Sequence, residues 1–205
     1  MRDASARFLA AAAGRGQPAS ALAWAELYGV IEDLSEPGGF LALSNGDPCP
    51  YNCLVPGASE ARLFDFELAG YRHALLDVTY LHLGFCWCYH PGRIPIALLG
   101  EAEAAYRIEA ACGIPAVLDE NFYRKGLASA AAAWAILTGC TALHHRDSGE
   151  PGAGVRATRA CAAMNAYVSM CRHRSQLPAL ADWIAGITAA LGNGSATQTV
   201  YQPFL

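Results

Sequence analysis

Apolar positions divide the chain into a helical opening, a short extended middle and a long helical remainder. Residues 4–13 and 19–34 carry helical spacing. Within "ALAWAELYGVIEDL", Leu22, Leu27, Val30, Ile31 and Leu34 form one apolar stripe. "SEPGG" stops that helix with a proline and two glycines. The run "FLALS" at 40–44 then reads as a strand. "CLV" at 53–55 and "ARLFDF" at 61–66 read as two more, joined by the turn-forming "PGASE" as a hairpin. Beyond residue 73 the pattern predicts helices near 74–89, 96–111, 119–145, 154–174 and 179–191. Breaks fall at "HPGRIP", "CGIP", "DSGEPGAG" and "QLP". The expected fold is mainly α with a small β-hairpin insert. It forms one unit over 1–191, followed by a frayed tail at 192–205.

Composition narrows the class. At 205 residues the chain is long enough for a real core. Apolar residues make up 54% and charged residues only 16%, against roughly 25% in an average soluble protein. Much apolar surface must therefore be hidden in a helical core or by a partner. A net charge of −4 without a basic stripe argues against nucleic acid. Residues 126–143, "GLASAAAAWAILTGCTAL", carry no charge. They fall short of the roughly 20 apolar residues of a membrane span and are dotted with Gly, Ser and Thr, so a buried central helix is expected rather than a membrane segment. The eight cysteines lie mostly in apolar, helix-like stretches. The opening "MRDASARFLAAAAG" lacks the apolar length of a secretory leader. The expectation is a reduced, cytoplasmic protein whose cysteines act as small apolar fillers. "CWCYH" at 86–90, Cys112 and the "HH" at 144–145 invite a zinc reading, but Cys86 and Cys88 would diverge on a predicted helix.

The chemistry concentrates in "SNGDPCPYNC" and "LFDFE". Phosphoryl transfer is mostly positioning and charge neutralisation. Protein kinases place a catalytic Asp five residues before an Asn, with a second metal-binding Asp further on. Asp47 and Asn52 have that spacing, the predicted hairpin comes next, and Asp65 stands at its end. The plainer alternative is that Asp47 and Asn52 serve a turn and Asp65 ends a strand.

Together, "NGDPCPYN" and "LFDFELAGYRHALLD" resemble the aminoglycoside phosphotransferase and choline kinase superfamily, the small-molecule branch of the protein-kinase-like fold. Gly46, Asp47 and Asn52 match the first part of its pattern. Asp65, Phe66, Glu67, Ala69, Gly70, Tyr71 and Asp77 match the second. The resemblance covers residues 40–80 and extends to the later helices only at the level of class. It implies a catalytic loop at 44–67 in the helical C-terminal lobe of that fold. Asp47 would orient a small-molecule hydroxyl and take its proton. Asn52 and Asp65 would hold Mg²⁺ on the phosphates of ATP. Glu67 would support the loop, and Asp77 would anchor it or cap the following helix. The family's His is Asn45 here.

The nucleotide half of such a site needs a sheet, a Gly-rich loop and a strand Lys paired with a helix Glu. Residues 1–46 read as helical, and the only lysine is Lys125. "GRGQPA" at 14–19 follows a helix rather than a strand, the wrong context for a phosphate loop. The chain therefore reads as the lobe without its nucleotide-binding partner. Two functions are expected from this. One is a small-molecule O-phosphotransferase, incomplete or inactive as this chain alone: a fragment of a longer kinase, a truncated relative, or a lobe that receives its nucleotide-binding partner from another chain. The other is a non-catalytic binding or scaffold remnant, oligomeric through the exposed face. The acids Glu101, Glu103, Asp119, Glu120, Asp147 and Glu150 are available for a cationic substrate, but none is assigned.

Overall fold

A computed structural model describes residues 1–57, 60–88, 91–146 and 149–192. Seven α-helices and four short strands among the described residues make a mainly α fold with a small β insert. Helices α1 (Arg2–Ala13) and α2 (Ala21–Ser35) come first. Strands β1 (Leu41–Ser44), β2 (Cys53–Gly57), β3 (Glu60–Leu63) and β4 (Gly70–His73) come next. The rest is α3 (Leu75–His82), α4 (Ile96–Ala111), α5 (Glu120–His145), α6 (Ala153–Arg174) and α7 (Pro178–Ala190). Local chemistry explains several boundaries. Ser20 accepts a hydrogen bond from Ala23 N at 3.1 Å, and Asp119 accepts one from Phe122 N at 2.8 Å, so each caps its helix. Pro178 opens α7, where its missing N–H does no harm.

Helix α5 is the axis of the core. Helices α1, α2, α3 and α6 all pack on it. It is the one helix among the described residues long and apolar enough to cross a membrane, and 78% of its apolar window is buried inside the protein. The expected buried central helix is what the fold contains. Its alanines let neighbours approach, and two glycines set the closest contacts. A Cβ on Gly126 would lie 2.5 Å from the Phe40 ring, and one on Gly139 would lie 2.4 Å from Phe8 and 3.0 Å from Met164 Sδ. Phe40 just precedes β1, so the Gly126 contact seats the β insert on the core.

The strands form two antiparallel pairs. β2 and β3 make the expected hairpin, although β3 stops at Leu63 rather than continuing to 66. Ala58 and Ser59 of "PGASE" lie outside the described residues. β4 adds to the expected strands. It pairs with β1, matching Leu41 with His73 and Ser44 with Gly70. The helix expected over 74–89 ends at His82. Gly84 (φ 64°) and Phe85 (φ 53°) are both left-handed, and that backbone cannot continue a right-handed helix. Cys86 and Cys88 therefore lie in a turn. Residues 193–205, nearly all of the expected tail, lie outside the described residues.

The packing at Gly139 gives a contrast. Gly139→Ala is expected to destabilise the fold by about 1–3 kcal/mol through overpacking against Phe8 and Met164. Gly100→Ala on α4, where the added methyl meets nothing within 4 Å, should stabilise by about 0.5–1 kcal/mol through helix propensity. Urea denaturation of the two variants measures both signs.

Candidate active-site loop

Strand β1 delivers the chain to the loop at Ser44, and two buried amides organise the turn beyond it. Asn45 Nδ2 donates to the Asp47 carbonyl at 3.0 Å. Asn52 Nδ2 donates to the same carbonyl at 3.2 Å and to Asp47 Oδ2 at 2.9 Å. Asn45 is 6% exposed and Asn52 8%. Asn52 closes a 3-10 turn over Pro50–Asn52, its N–H bonding the Cys49 carbonyl at 2.8 Å. Asn45 stands where the resembled pattern carries His, and it supports the loop from beneath through the Asp47 backbone.

A second tie runs from the loop to α3. Ser44 Oγ accepts from Gly46 N at 3.0 Å and donates to Asp77 Oδ1 at 2.7 Å. Burial raises the Asp77 carboxyl's pKa, while the Ser44 hydrogen bond and the Arg72 charge oppose the rise. Asp77 sits inside the first turn of α3, whose N-cap is Ala74. Asp77 bonds Ser44 and makes no side-chain cap on α3.

The third tie joins the loop to the segment after the hairpin. Gly46 has φ 84°, and a Cβ there would lie 2.2 Å from the Leu68 carbonyl oxygen. Leu68 O also accepts from the Arg72 guanidinium. Phe64 N donates to the Asn52 carbonyl at 3.0 Å, which sets Asp65 one residue from Asn52's partner. Asp65 is left-handed at φ 61°. Asp tolerates that region better than most residues, and such backbones cluster at functional sites.

The fold thus joins Asp47 to Asn52 directly, Gly46 to the 65–69 segment by close packing, and Asp77 to the loop through Ser44. Asp65 and Glu67 are exposed, and neither carboxylate has a hydrogen-bond or ion-pair partner among the described residues. Sequence reasoning missed Ser44, whose hydroxyl serves both ties, and Leu68, whose backbone fits the glycine. The position of Ser44, three residues before Asp47 at a strand end, was the available signal.

The cysteines require a correction. Cys49 and Cys88 form a disulfide, with Cα atoms 5.8 Å apart and a sequence separation of 39. Cys49 is therefore no simple filler, and the reduced reading fails for this pair. The other six remain thiols. The bridge sits in a small apolar cluster with Tyr80 and Phe85. Tyr80 OH accepts from Trp87 N at 3.1 Å and donates to Cys88 Sγ at 3.6 Å.

Other polar groups are taken up by the scaffold. Glu103 meets Arg174 at 2.7 Å and His82 at 2.9 Å. Burial works against its ionised form, but these two partners hold its pKa at about 2. Glu120 pairs with Arg107 and Arg124. Asp119 is a cap, and Asp147 and His90 lie outside the described residues. His144, His145 and Glu150 bring ligand atoms within 4.8 Å of one another. Arg156 Nη2 already lies 3.0 Å from Glu150 and 3.5 Å from His145, so a guanidinium fills the place of a cation. Lys125 Nζ lies 3.1 Å from Asp33 Oδ1.

No protein-family model matches this chain, and no curated protein matches it.

His73 gives the region a pH signature. It ends β4, is 2% exposed and stacks on Phe40 at 4.4 Å. Burial lowers its pKa to about 4, partly opposed by Asp33. The folded state therefore favours neutral His73. That contribution is complete above the ordinary value of 6.5 and is lost as pH falls toward 4. Urea midpoints should drop across this window by up to about 3 kcal/mol in stability, and His73→Leu should flatten the drop. The window lies above that of Glu103, whose contribution is lost between about 4.5 and 2.

Proposed function

We propose that residues 44–67 are the acceptor-and-metal half of a phosphoryl-transfer site. The chain would serve an ATP-dependent O-phosphotransferase acting on a small-molecule hydroxyl, in the manner of the aminoglycoside phosphotransferase-like family. The observation that carries this reading is the Asn52 junction. Its side chain bonds the Asp47 carboxylate while its carbonyl bonds the residue before Asp65. Asp47 and Asn52 are thus bonded directly, and Asp65 follows the residue that bonds the Asn52 carbonyl. A pair of unrelated polar strand ends has no need for this.

Each residue has a role the geometry permits. Asn52 and Asn45 fix the Asp47 backbone, and Asn52 engages Oδ2. Oδ1 of Asp47 is left to orient a hydroxyl and accept its proton. Asn52 donates through Nδ2, which leaves its Oδ1 as a ligand oxygen. With the exposed Asp65 carboxylate it offers the hard oxygen donors that suit Mg²⁺. A bound Mg²⁺ supplies neutralisation of phosphate charge.

The residues do not fit the whole nucleotide. The only lysine is engaged by Asp33, and residues 14–16 form the turn ending α1. The groups that cradle ATP would come from outside residues 1–205. Apolar surface that such a lobe could cover is available, since Leu41, Leu43 and Tyr71 of the β1–β4 pair, and Leu54 and Val55 of β2, are all more than half exposed. The second reading, a non-catalytic scaffold that self-associates through this face, draws on the same exposure.

Two measurements test the proposal. Mn²⁺, an oxygen-seeking stand-in for Mg²⁺, should bind the chain at one site. Asp65→Asn should weaken it about tenfold or more, and absence of any binding favours the scaffold. The 205-residue chain alone should turn over little or no ATP. Robust ATP-dependent phosphorylation of an acceptor, lost in Asp47→Ala, would refute that inactivity.

A further inference from the structure

We propose that the Cys49–Cys88 bridge is a redox-modification site whose state sets the order of the Asp47–Asn52 loop. Cys49 lies between the two residues, and its carbonyl receives the Asn52 N–H at 2.8 Å. Pro48 and Pro50 flank it and bring no N–H, so a backbone ladder cannot hold residues 47–51. The disulfide is the covalent tie between this loop and the turn beyond α3. That turn rests on the core through Tyr80, whose hydroxyl contacts both Trp87 N and Cys88 Sγ. The oxidised bridge therefore adds a covalent tie from the turn beyond α3 to a loop otherwise held by the Asn45 and Asn52 amides and the Asn52 N–H.

The bridge is sheltered but not deep. Cys49 and Cys88 are 7% and 8% exposed, while the adjoining Trp87 is 56% exposed. A small local opening admits a dithiol reductant. Its thiolate attacks one bridge sulfur, the S–S bond breaks, and a mixed disulfide forms. The second reductant thiol then displaces the protein sulfur and closes a cyclic disulfide. Two electrons reach the protein, and Cys49 and Cys88 each leave with one proton as thiols. Cys86 is close in sequence, but burial pushes its thiol pKa up and disfavours the reactive thiolate.

Hydrogen exchange with mass spectrometry on the full chain tests this, comparing the air-oxidised protein with the same protein in dithiothreitol. Alkylation should find new thiols at Cys49 and Cys88 only after reduction. Amides in 45–57 should exchange about tenfold faster in the reduced chain, with α5 and α6 changing less than about twofold. Cys86→Ala should keep the response, and Cys49→Ala/Cys88→Ala should exchange fast with or without reductant. Unchanged exchange at 45–57 on reduction overturns the proposal. So does equal acceleration across α5 and α6, and so does alkylation of both cysteines without reductant. The consequence for phosphoryl transfer rests on the reading of residues 44–67 as a metal-binding half-site, and Mn²⁺ titration in both states separates the two. Mn²⁺ bound about tenfold more weakly by the reduced chain supports the link. Absence of Mn²⁺ binding in both states defeats the metal reading alone, and the exchange data still decide the bridge.

Discussion

The site depends first on a contact that has no side chain on one partner. Gly46 packs so close to the Leu68 carbonyl that even a methyl group would overlap it. Its left-handed φ is one that glycine alone adopts freely. Any other residue would push the loop from the segment that carries Asp65. Around this contact the Ser44 hydroxyl adds a link to Gly46 on one side and to Asp77 on the other. Two chain segments and one helix are thereby held by a glycine, a serine and an aspartate. The exposed carboxylates need not contribute to holding the loop at all.

The scaffold beneath is rigid for reasons of size. α5 offers alanines and glycines to its neighbours, and aromatic side chains fill the space those small residues leave. Phe40 stacks on Phe122 and His73 and presses on Gly126. Trp134 Nε1 on α5 donates to the Leu76 carbonyl of α3, and the Tyr106 hydroxyl of α4 donates to the Ala74 carbonyl. These bonds fix the helix that holds Asp77. The path from core to loop is therefore short: α5 to α3, Asp77 to Ser44, and Ser44 to Gly46. A disulfide with a sequence separation of 39 adds a denatured-state constraint worth about 4 kcal/mol in the chain-entropy account.

The helices were legible from long helix-forming runs bounded by Pro and Gly breaks, as at 96–111 and across α5. The hairpin was legible from its flanking apolar runs. β4 was not, because "GYRH" has only four residues and is defined by its pairing with β1, a contact that sequence periodicity cannot express. The end of α3 was also hidden. Leu83 and Phe85 continue an apolar pattern, yet the chain turns through left-handed Gly84 and Phe85 and still buries both side chains. In the site, the Asp47–Asn52 contact follows from spacing, whereas the disulfide required knowing that the chain beyond α3 turns back toward the loop. Cysteine count alone does not give pairing.

The loop carries more acid than base. Asp47, Glu60, Asp65 and Glu67 place four carboxylates within 21 residues; Arg62 pairs with Glu60, and the nearby Arg72 is committed to the Leu68 carbonyl. The strand faces around them are apolar, with Leu43 and Tyr71 62% and 76% exposed. Acids beside an uncovered apolar rim make poor sense as a finished surface, since a lone surface acid needs no organised loop and an exposed apolar face is usually a contact site. On the proposed reading, a divalent cation would neutralise the acids, and a partner surface with apolar side chains would cover the strands. The single lysine cannot do so, because Asp33 already holds it where α2 meets α5. On the proposed reading, the complement of the loop would supply positive charge to phosphate and apolar cover to the exposed strand residues of β1, β2 and β4.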